Sequence, residues 1–213
     1  GLRPGWGRFY VEARTEALYA GRQALGEALR YLVDLPLDAK GKPPALKKRS
    51  VVIFARAVAG RPGELQLVAP DALLAWDAAL DSRLRGVLGE LFAPDAPQRV
   101  TGVREAIHVT GTLAGEGETQ LFLSTASGDP AAVTIARAPD QPPRISVSFS
   151  ELVGSSAATP PVDSLAWYRL ACFLPSTLPG GANISGTPGD RAAAAADYRT
   201  LLATLGPCPR TRS

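Results

Sequence analysis

Four short segments that alternate apolar and polar residues follow one another between residues 100 and 150. They read RVTGVREAIHVTGTL, ETQLFLSTA, AAVTIARA and RISVSFSEL, and Gly115-Glu116-Gly117, Gly128-Asp129-Pro130 and the stretch Pro139 to Pro143 separate them. A period of two is typical of strands that bury one face, and clusters of Gly and Pro are typical of turns. The pattern therefore predicts a four-stranded antiparallel meander.

Two more strands are predicted upstream of the meander. The segments SVVIFARAVAG and GELQLVAP are joined by the turn Gly60-Arg61-Pro62-Gly63, and the run VVIF is apolar without interruption, as in a strand buried on both faces. Together with the meander, these segments predict a largely antiparallel sheet of about five or six strands.

The N-terminal region carries a helical pattern. An apolar residue recurs every seven positions, at Val11, Leu18, Leu25 and Leu32. This spacing predicts an amphipathic helix over residues 8–33. The helix would pack on its own sheet, or form a stalk, a juxtamembrane segment or a homodimer contact. We therefore divide the chain into an N-terminal helix at 1–35 and a single α+β domain at 36–213.

Three further helices are predicted, which completes an α+β fold. One lies between the strand groups, in PDALLAWDAALDSRLRGVLGELFAP. A C-terminal pair follows, DSLAWYRLACFL with Asp163 or Ser164 as its N-cap, and DRAAAAADYRTLLATLG with Asp190 as its N-cap and Gly206 at its end.

The chain has two cysteines, one in each of the predicted C-terminal helical segments. Cys172 lies late in the first helix and Cys208 just beyond the second, with thirty-five residues between them. An antiparallel helix pair would bring the two sulfurs together, and closing such a loop stabilises a fold by about 3–4 kcal/mol in the chain-entropy model. We predict a disulfide, and hence an oxidising location such as the periplasm, the cell surface or the secretory lumen. The alternative is two reduced, buried thiols.

The start of the chain suggests a membrane neighbour. There is no methionine, and Trp6, Phe9 and Tyr10 are interleaved with Arg3 and Arg8. This mixture is typical of the end of a membrane span, and equally of an ordinary aromatic helix start. We expect a removed signal peptide or transmembrane segment ahead of the first residue, through which the protein would be tethered. No run of about eighteen apolar residues occurs in the chain itself.

All lysines of the chain lie in one short basic stretch. They are Lys40, Lys42, Lys47 and Lys48, with Arg49 next to the last of them. Pro43-Pro44 interrupts the stretch, which predicts an extended loop. The loop could keep the neighbouring buried strand soluble, contact an anionic membrane surface, or bind a protein partner. Nucleic acid is not expected, because no aromatic side chain accompanies the lysines to stack on bases.

Catalytic and cofactor signals are weak. His108 is the only histidine, and strand alternation places it on the opposite face from Ile107 and Val109. A hydrolytic triad would also need a nucleophile, and no serine lies in a Gly-x-Ser-x-Gly elbow. One histidine and two distant cysteines do not make a zinc site. The glycines near Glu116 and Glu118 lie between strands and beside like charge, so they do not predict a phosphate site. We predict no catalytic residue, metal or cofactor.

These observations favour a non-enzymatic protein. The leading hypothesis is an extracytoplasmic, membrane-tethered interaction or assembly module with a protein partner. The alternative is a small-ligand sensing or binding domain, in which the meander and the loop at 175–189 form a pocket mouth. A hydrolase that uses His108 is the second alternative.

Overall fold

The computed structural model describes residues 1–22, 24–149 and 157–209, and this part of the chain has an α+β fold with eleven strands and three α-helices. The chain divides into two compact units, residues 1–88 and residues 89–213. The first unit holds β1 (Trp6–Arg14), β2 (Ala28–Pro36), β3 (Val51–Ile53), β4 (Ala55–Ala57), β5 (Glu64–Leu67) and β6 (Leu73–Ala75). Helix α1 (Ala78–Leu91) has residues in both units.

The second unit holds the remaining elements. They are β7 (Val100–Thr110), β8 (Gly117–Thr125), β9 (Ala131–Arg137), β10 (Arg144–Ser148), β11 (Ala157–Ala158), α2 (Leu165–Ala171) and α3 (Pro188–Leu205), with a 3₁₀ turn at Gly180–Ala182. The sequence-based division placed a boundary after residue 35, whereas the compact units meet between Leu88 and Gly89.

The predicted N-terminal helix is wrong, because the region forms the β1–β2 hairpin. The two strands pair antiparallel from Trp6 opposite Pro36 to Arg14 opposite Ala28. In β2 every second residue is buried and the residues between them are more exposed. This period of two defines the core side of the hairpin. Leu32, which the seven-residue spacing assigned to the apolar face of a helix, lies on the exposed side. Gly21 and Gly26, which disfavour a helix, lie in the connection between the strands.

The strands of the first unit form two sheets. The larger has the order β1-β2-β5-β4, in which only β2 and β5 run parallel, and the smaller pairs β3 with β6. Only Phe54 separates β3 from β4, although the two strands belong to different sheets. The core side chains of this unit are Leu29, Tyr31, Val33, Leu35, Leu65, Leu67 and Ala72.

The predicted meander is confirmed in the second unit. Strands β7, β8, β9 and β10 pair antiparallel in succession, and β11 adds to β10. The two upstream segments were predicted to join this sheet, and that prediction is wrong. They form strands that pair within the first unit. The core consists of the apolar inner face of the sheet together with Trp167, Leu170, Tyr198, Leu201 and Leu205 from the two helices.

The C-terminal helix pair is present, with one cap corrected. Ser164 caps α2, where its hydroxyl accepts a hydrogen bond from the Trp167 amide at 3.2 Å. The N-cap of α3 is Thr187 and not Asp190, because the Thr187 hydroxyl accepts the amide hydrogen bond of Asp190 at 3.0 Å. Gly206 ends α3 with a φ of 73°, a conformation that favours glycine.

Candidate functional site

The first unit contains an open cleft with a volume of about 1410 Å³. It is bounded by residues 10–14 of β1, by the β1–β2 connection, by residues 46–57 and by the inner face of the sheet. Apolar side chains such as Leu25, Leu29 and Leu46 line its interior, and Leu84 and Leu88 of α1 contribute from the helix. We call this feature the basic cleft, for the charges described next.

Cationic side chains outnumber anionic ones around the basic cleft. The lining includes Arg14, Arg22, Lys47, Lys48, Arg49 and Arg56, against Glu12 and Glu16. Within the described part of the chain, only Arg14 among these cations forms an ion pair, a 3.9 Å contact with the exposed Glu27. Glu16 accepts a hydrogen bond from the Ser50 hydroxyl at 2.9 Å. The cleft therefore combines an apolar interior with uncompensated positive charge at its margin.

The structure divides the predicted basic stretch into two parts. Lys47, Lys48 and Arg49 line the basic cleft and are exposed. Lys40 and Lys42 are exposed too, but they belong to a tight turn in which the Asp38 carboxylate accepts both of their backbone amide hydrogen bonds, at 2.9 and 2.8 Å. Neither of these two lysines lines the cleft. The two parts of the stretch can therefore be tested separately.

A polar cluster around Tyr19 borders the basic cleft and was not predicted. The Tyr19 hydroxyl donates to the Asp81 carboxylate at 2.5 Å and accepts from the Trp76 indole at 3.1 Å. Arg85 donates to Asp81 at 3.0 Å and lies over the Tyr19 ring. The hydrogen bonds from Arg85 and Tyr19 lower the pKa of Asp81. The cluster attaches the β1–β2 connection to the start of α1. Only the four-residue spacing of Asp81 and Arg85 could have been noticed in the sequence.

A second candidate site is the buried polar chain that starts at His108. Its Nδ1 lies 2.8 Å from the Thr119 hydroxyl, which donates to the Asp197 carboxylate at 2.5 Å, and Arg137 donates to the other oxygen of Asp197. Since the one hydroxyl hydrogen of Thr119 goes to Asp197, Nδ1 of His108 must carry a hydrogen and donate it to Thr119. Asp197 is fully buried, and His108 is 6% exposed.

Among the described residues, no nucleophile for hydrolysis is positioned at His108. No hydroxyl of a described residue is hydrogen-bonded to Nε2 of His108. Ser185 is close, but its hydroxyl accepts from the His108 backbone amide at 3.0 Å and donates to Asn183. Among the described residues, no buried side-chain nitrogen or oxygen lacks a hydrogen-bond partner, and the polar chain joins three strands to α3, which fits a structural role. The geometry gives no support to a hydrolase.

The predicted pocket mouth at residues 175–189 is occupied by packing contacts. Ala182 and Ser185 are buried, and the Ile184 amide donates to the Ala106 carbonyl at 2.9 Å. The Tyr198 hydroxyl donates to the Pro175 carbonyl at 2.7 Å. The loop therefore closes over the sheet, and the open volume of the first unit is the better candidate for a binding site.

Cys172 and Cys208 form a disulfide with a Cα–Cα distance of 5.2 Å. The bond connects the end of α2 to the segment after α3, and no free cysteine is present in the described residues. A structural disulfide fits an oxidising, extracytoplasmic location. Among the described helices, none has the length and apolarity needed to cross a bilayer. The described residues also contain no group of three His, Cys, Asp or Glu side chains placed to hold a metal ion.

Comparison of the chain with protein-family models, with curated proteins and with solved structures gives no match in any of the three.

Proposed function

We propose that this protein is a non-enzymatic interaction module of an extracytoplasmic compartment, and that its basic cleft binds an acidic segment of a partner protein. The observation that carries the proposal is the set of cationic side chains that have no ion-pair partner among the described residues and that surround an apolar interior. Such a combination suits a ligand that brings both carboxylates and apolar side chains, because the carboxylates would compensate the charge while the apolar groups leave water.

The size of the basic cleft favours a peptide over a small molecule. Its volume of about 1410 Å³ exceeds the range of about 300–1000 Å³ that is usual for small-ligand sites. Helix α1 also contains no buried residue, although Leu84 and Leu88 line the cleft. An inserted peptide would cover this part of the helix, and that burial would contribute to affinity.

The compartment is supported by the Cys172–Cys208 bond, since thiols are kept reduced in the cytosol. The membrane tether stays a prediction. The aromatic residues at the start of the chain serve the first unit itself: Trp6 begins β1 under the guanidinium of Arg3, and Phe9 packs against the core. Reading the natural gene ahead of the first residue would test the tether directly.

The test of the proposed function uses a labelled peptide of alternating glutamate and leucine, with a lysine–leucine peptide for comparison. Reversing the charge of Lys47, Lys48 and Arg49 to Glu should weaken binding of the acidic peptide at least about tenfold, because each exposed pair contributes about 0.2–1 kcal/mol and reversal adds repulsion. Reversing Lys40 and Lys42, which lie outside the cleft, is the control with two reversals against three, and it should change the affinity by far less than two thirds of that effect.

Two outcomes would contradict the proposal. Equal weakening by both sets of substitutions would mean that net charge and not the cleft attracts the peptide. Binding to phosphatidylglycerol vesicles without measurable binding to the acidic peptide would show that the basic residues serve a lipid surface. Binding that weakens with salt in the wild type, and not in the Lys47/Lys48/Arg49 variant, would support the proposed site.

A further inference from the structure

We propose that two copies of this chain pair antiparallel along β1 and form a twofold-symmetric dimer centred on Tyr10. Strand β1 is the terminal strand in the order β1-β2-β5-β4, and its nine residues pair with β2 without a bulge. It contains neither proline nor lysine, which commonly protect an edge strand from further pairing.

The backbone groups on the free side of β1 can be identified. Thr15 donates its amide hydrogen to the Glu27 carbonyl at 2.8 Å, and Leu37 donates to the Gly5 carbonyl at 2.8 Å. Because hydrogen-bonded pairs alternate in an antiparallel ladder, the odd-numbered residues of β1 bond to β2 and the even-numbered residues point their amide and carbonyl groups away from the sheet. Among the described residues, only the Trp6 amide of this outward set has a backbone partner, the Arg3 carbonyl.

On the exposed face of the hairpin, the positive and negative side chains of β1 are placed so that two copies of the strand can pair with opposite charges facing each other. Across the two strands, Tyr10 lies opposite Leu32, and Arg8 lies opposite Asp34 with hydrogen bonds of 2.7 and 3.0 Å. Glu12 lies opposite Arg30. Tyr10 and Leu32 are 60% and 54% exposed, so an apolar pair sits between two charged pairs on the open face.

With a twofold axis at Tyr10, each of these cross-strand pairs continues into the second copy as a row of four side chains. It places Arg8 directly opposite Glu12 of the second copy, so that the row from Asp34 through Arg8 and Glu12 to Arg30 alternates in sign across all four strands. The apolar row becomes Leu32, Tyr10 and the same two residues of the second copy. Opposite charges and aromatic pairs at cross-strand positions contribute about 0.2–1 kcal/mol each.

Other arrangements of the same edge are less favourable. Sliding the two copies by two residues in one direction puts Arg8 opposite Arg14, and sliding them in the other direction replaces the two Arg8–Glu12 pairs by Arg8–Tyr10 and Glu12–Trp6 pairs. An in-register parallel arrangement puts Arg8 beside Arg8. Like charges at facing positions destabilise a sheet, so charge selects the antiparallel register centred on Tyr10. The contact is isologous and closes on itself, as expected of a dimer. Tyr10 and Glu12 also line the basic cleft, so the association is measured in the absence of peptide.

The test is the mass of the full-length chain in solution, measured by sedimentation velocity over a range of concentrations. The wild type should be a dimer at about 100 μM, and Glu12→Arg should weaken the association at least about tenfold, because it places two arginines opposite each other. Glu118→Arg makes the same charge change at an exposed strand position of the second unit and should leave the dimer intact.

A mixing experiment separates lost pairing from lost folding. Arg8→Glu and Glu12→Arg should each be monomeric alone, whereas a mixture of the two should form heterodimers, because positions 8 and 12 that face each other across the two copies then carry opposite charges. A wild type that is monomeric at this concentration would overturn the proposal, as would a Glu12→Arg variant that dimerises like the wild type or a mixture that stays monomeric. Peptide binding to the basic cleft is measured separately, so either proposal can fail without the other.

Discussion

Arg137, the last residue of β9, donates a hydrogen bond to the carboxylate of Asp197, which is fully buried on α3. The same carboxylate accepts from Thr119, which links it to His108. A buried charge is costly unless it is paired with an opposite charge and hydrogen-bonded. The Asp197 carboxylate is paired with Arg137 from β9 and also accepts a hydrogen bond from Thr119 of β8. The contact therefore sets how α3 lies on the sheet of the second unit.

Removing Arg137 should destabilise the protein more than the loss of a surface contact would. We expect Arg137→Met to lower the free energy of unfolding by about 3 kcal/mol, because Asp197 would remain buried without its cation. In the double variant Arg137→Met/Asp197→Leu much of this loss should be recovered. Urea unfolding of the two single variants and the double variant gives the coupling energy, and strictly additive effects would contradict the buried-pair account.

Gly117 provides the space for the His108 ring. A Cβ atom at this position would lie 2.9 Å from both Cε1 and Nε2 of the ring and 3.2 Å from the Val109 carbonyl oxygen. We expect Gly117→Ala to cost about 1–3 kcal/mol of unfolding free energy, because the ring must shift and with it the hydrogen bond to Thr119.

Gly102→Ala is the matched control for the change at Gly117. Gly102 also lies in a strand of the same sheet, and nothing lies within 4 Å of its added Cβ. Thermal unfolding of both variants measures the difference. If the melting temperature of Gly117→Ala were no lower than that of Gly102→Ala, the close contact with the His108 ring would not contribute to stability.

The disulfide should contribute measurably to stability. Replacing Cys172 and Cys208 by Ser removes a bond that closes a sequence separation of 36 residues, and the chain-entropy model gives a loss of about 4 kcal/mol for a loop of this length. Alkylation under denaturing conditions, followed by mass spectrometry, should label the wild type only after reduction. Labelling without a reductant would show free thiols and remove the support for an oxidising compartment.

Tyr198 should make the protein sensitive to alkali. Burial raises the pKa of its hydroxyl to about 12, from the ordinary value of 10.0, because the phenolate would lose its hydration. The unfolded chain then loses this proton first, so the stabilisation is complete below pH 10.0 and is lost as the pH rises through about 12. Unfolding free energies measured across this interval should fall less steeply with pH for Tyr198→Phe than for the wild type. Equal slopes would contradict the assignment.

Local patterns predicted the second unit well. The period of two between residues 100 and 150 corresponds to β7 to β10, and Ser164 and Gly206 cap their helices as expected. The disulfide followed from two cysteines placed at the ends of two adjacent helices. These signals act over a few residues or along one short connection, so they can be read without knowing the rest of the fold.

The basic cleft could be predicted only in part. Lys47, Lys48 and Arg49 stood out as a cluster, yet nothing in the sequence separated them from Lys40 and Lys42 or placed them beside the inner face of β2.

The buried polar chain from His108 to Asp197 was not predicted. Asp197 is one acid in an alanine-rich helix, and its partners Arg137 and Thr119 are 60 and 78 residues away in the sequence.

The sequence by itself determined where strands and helices of the second unit begin and end, and which two sulfurs could join, because turn residues, caps and side-chain period act through neighbouring atoms. Tertiary structure decided that residues 6–36 form a hairpin and not a helix. Seven-residue spacing and two-residue alternation both describe that stretch, and only the burial of Leu29, Tyr31, Val33 and Leu35 against the sheet separates them. The free energy that selects between two such patterns comes from contacts with distant residues, and it exists only in the folded chain.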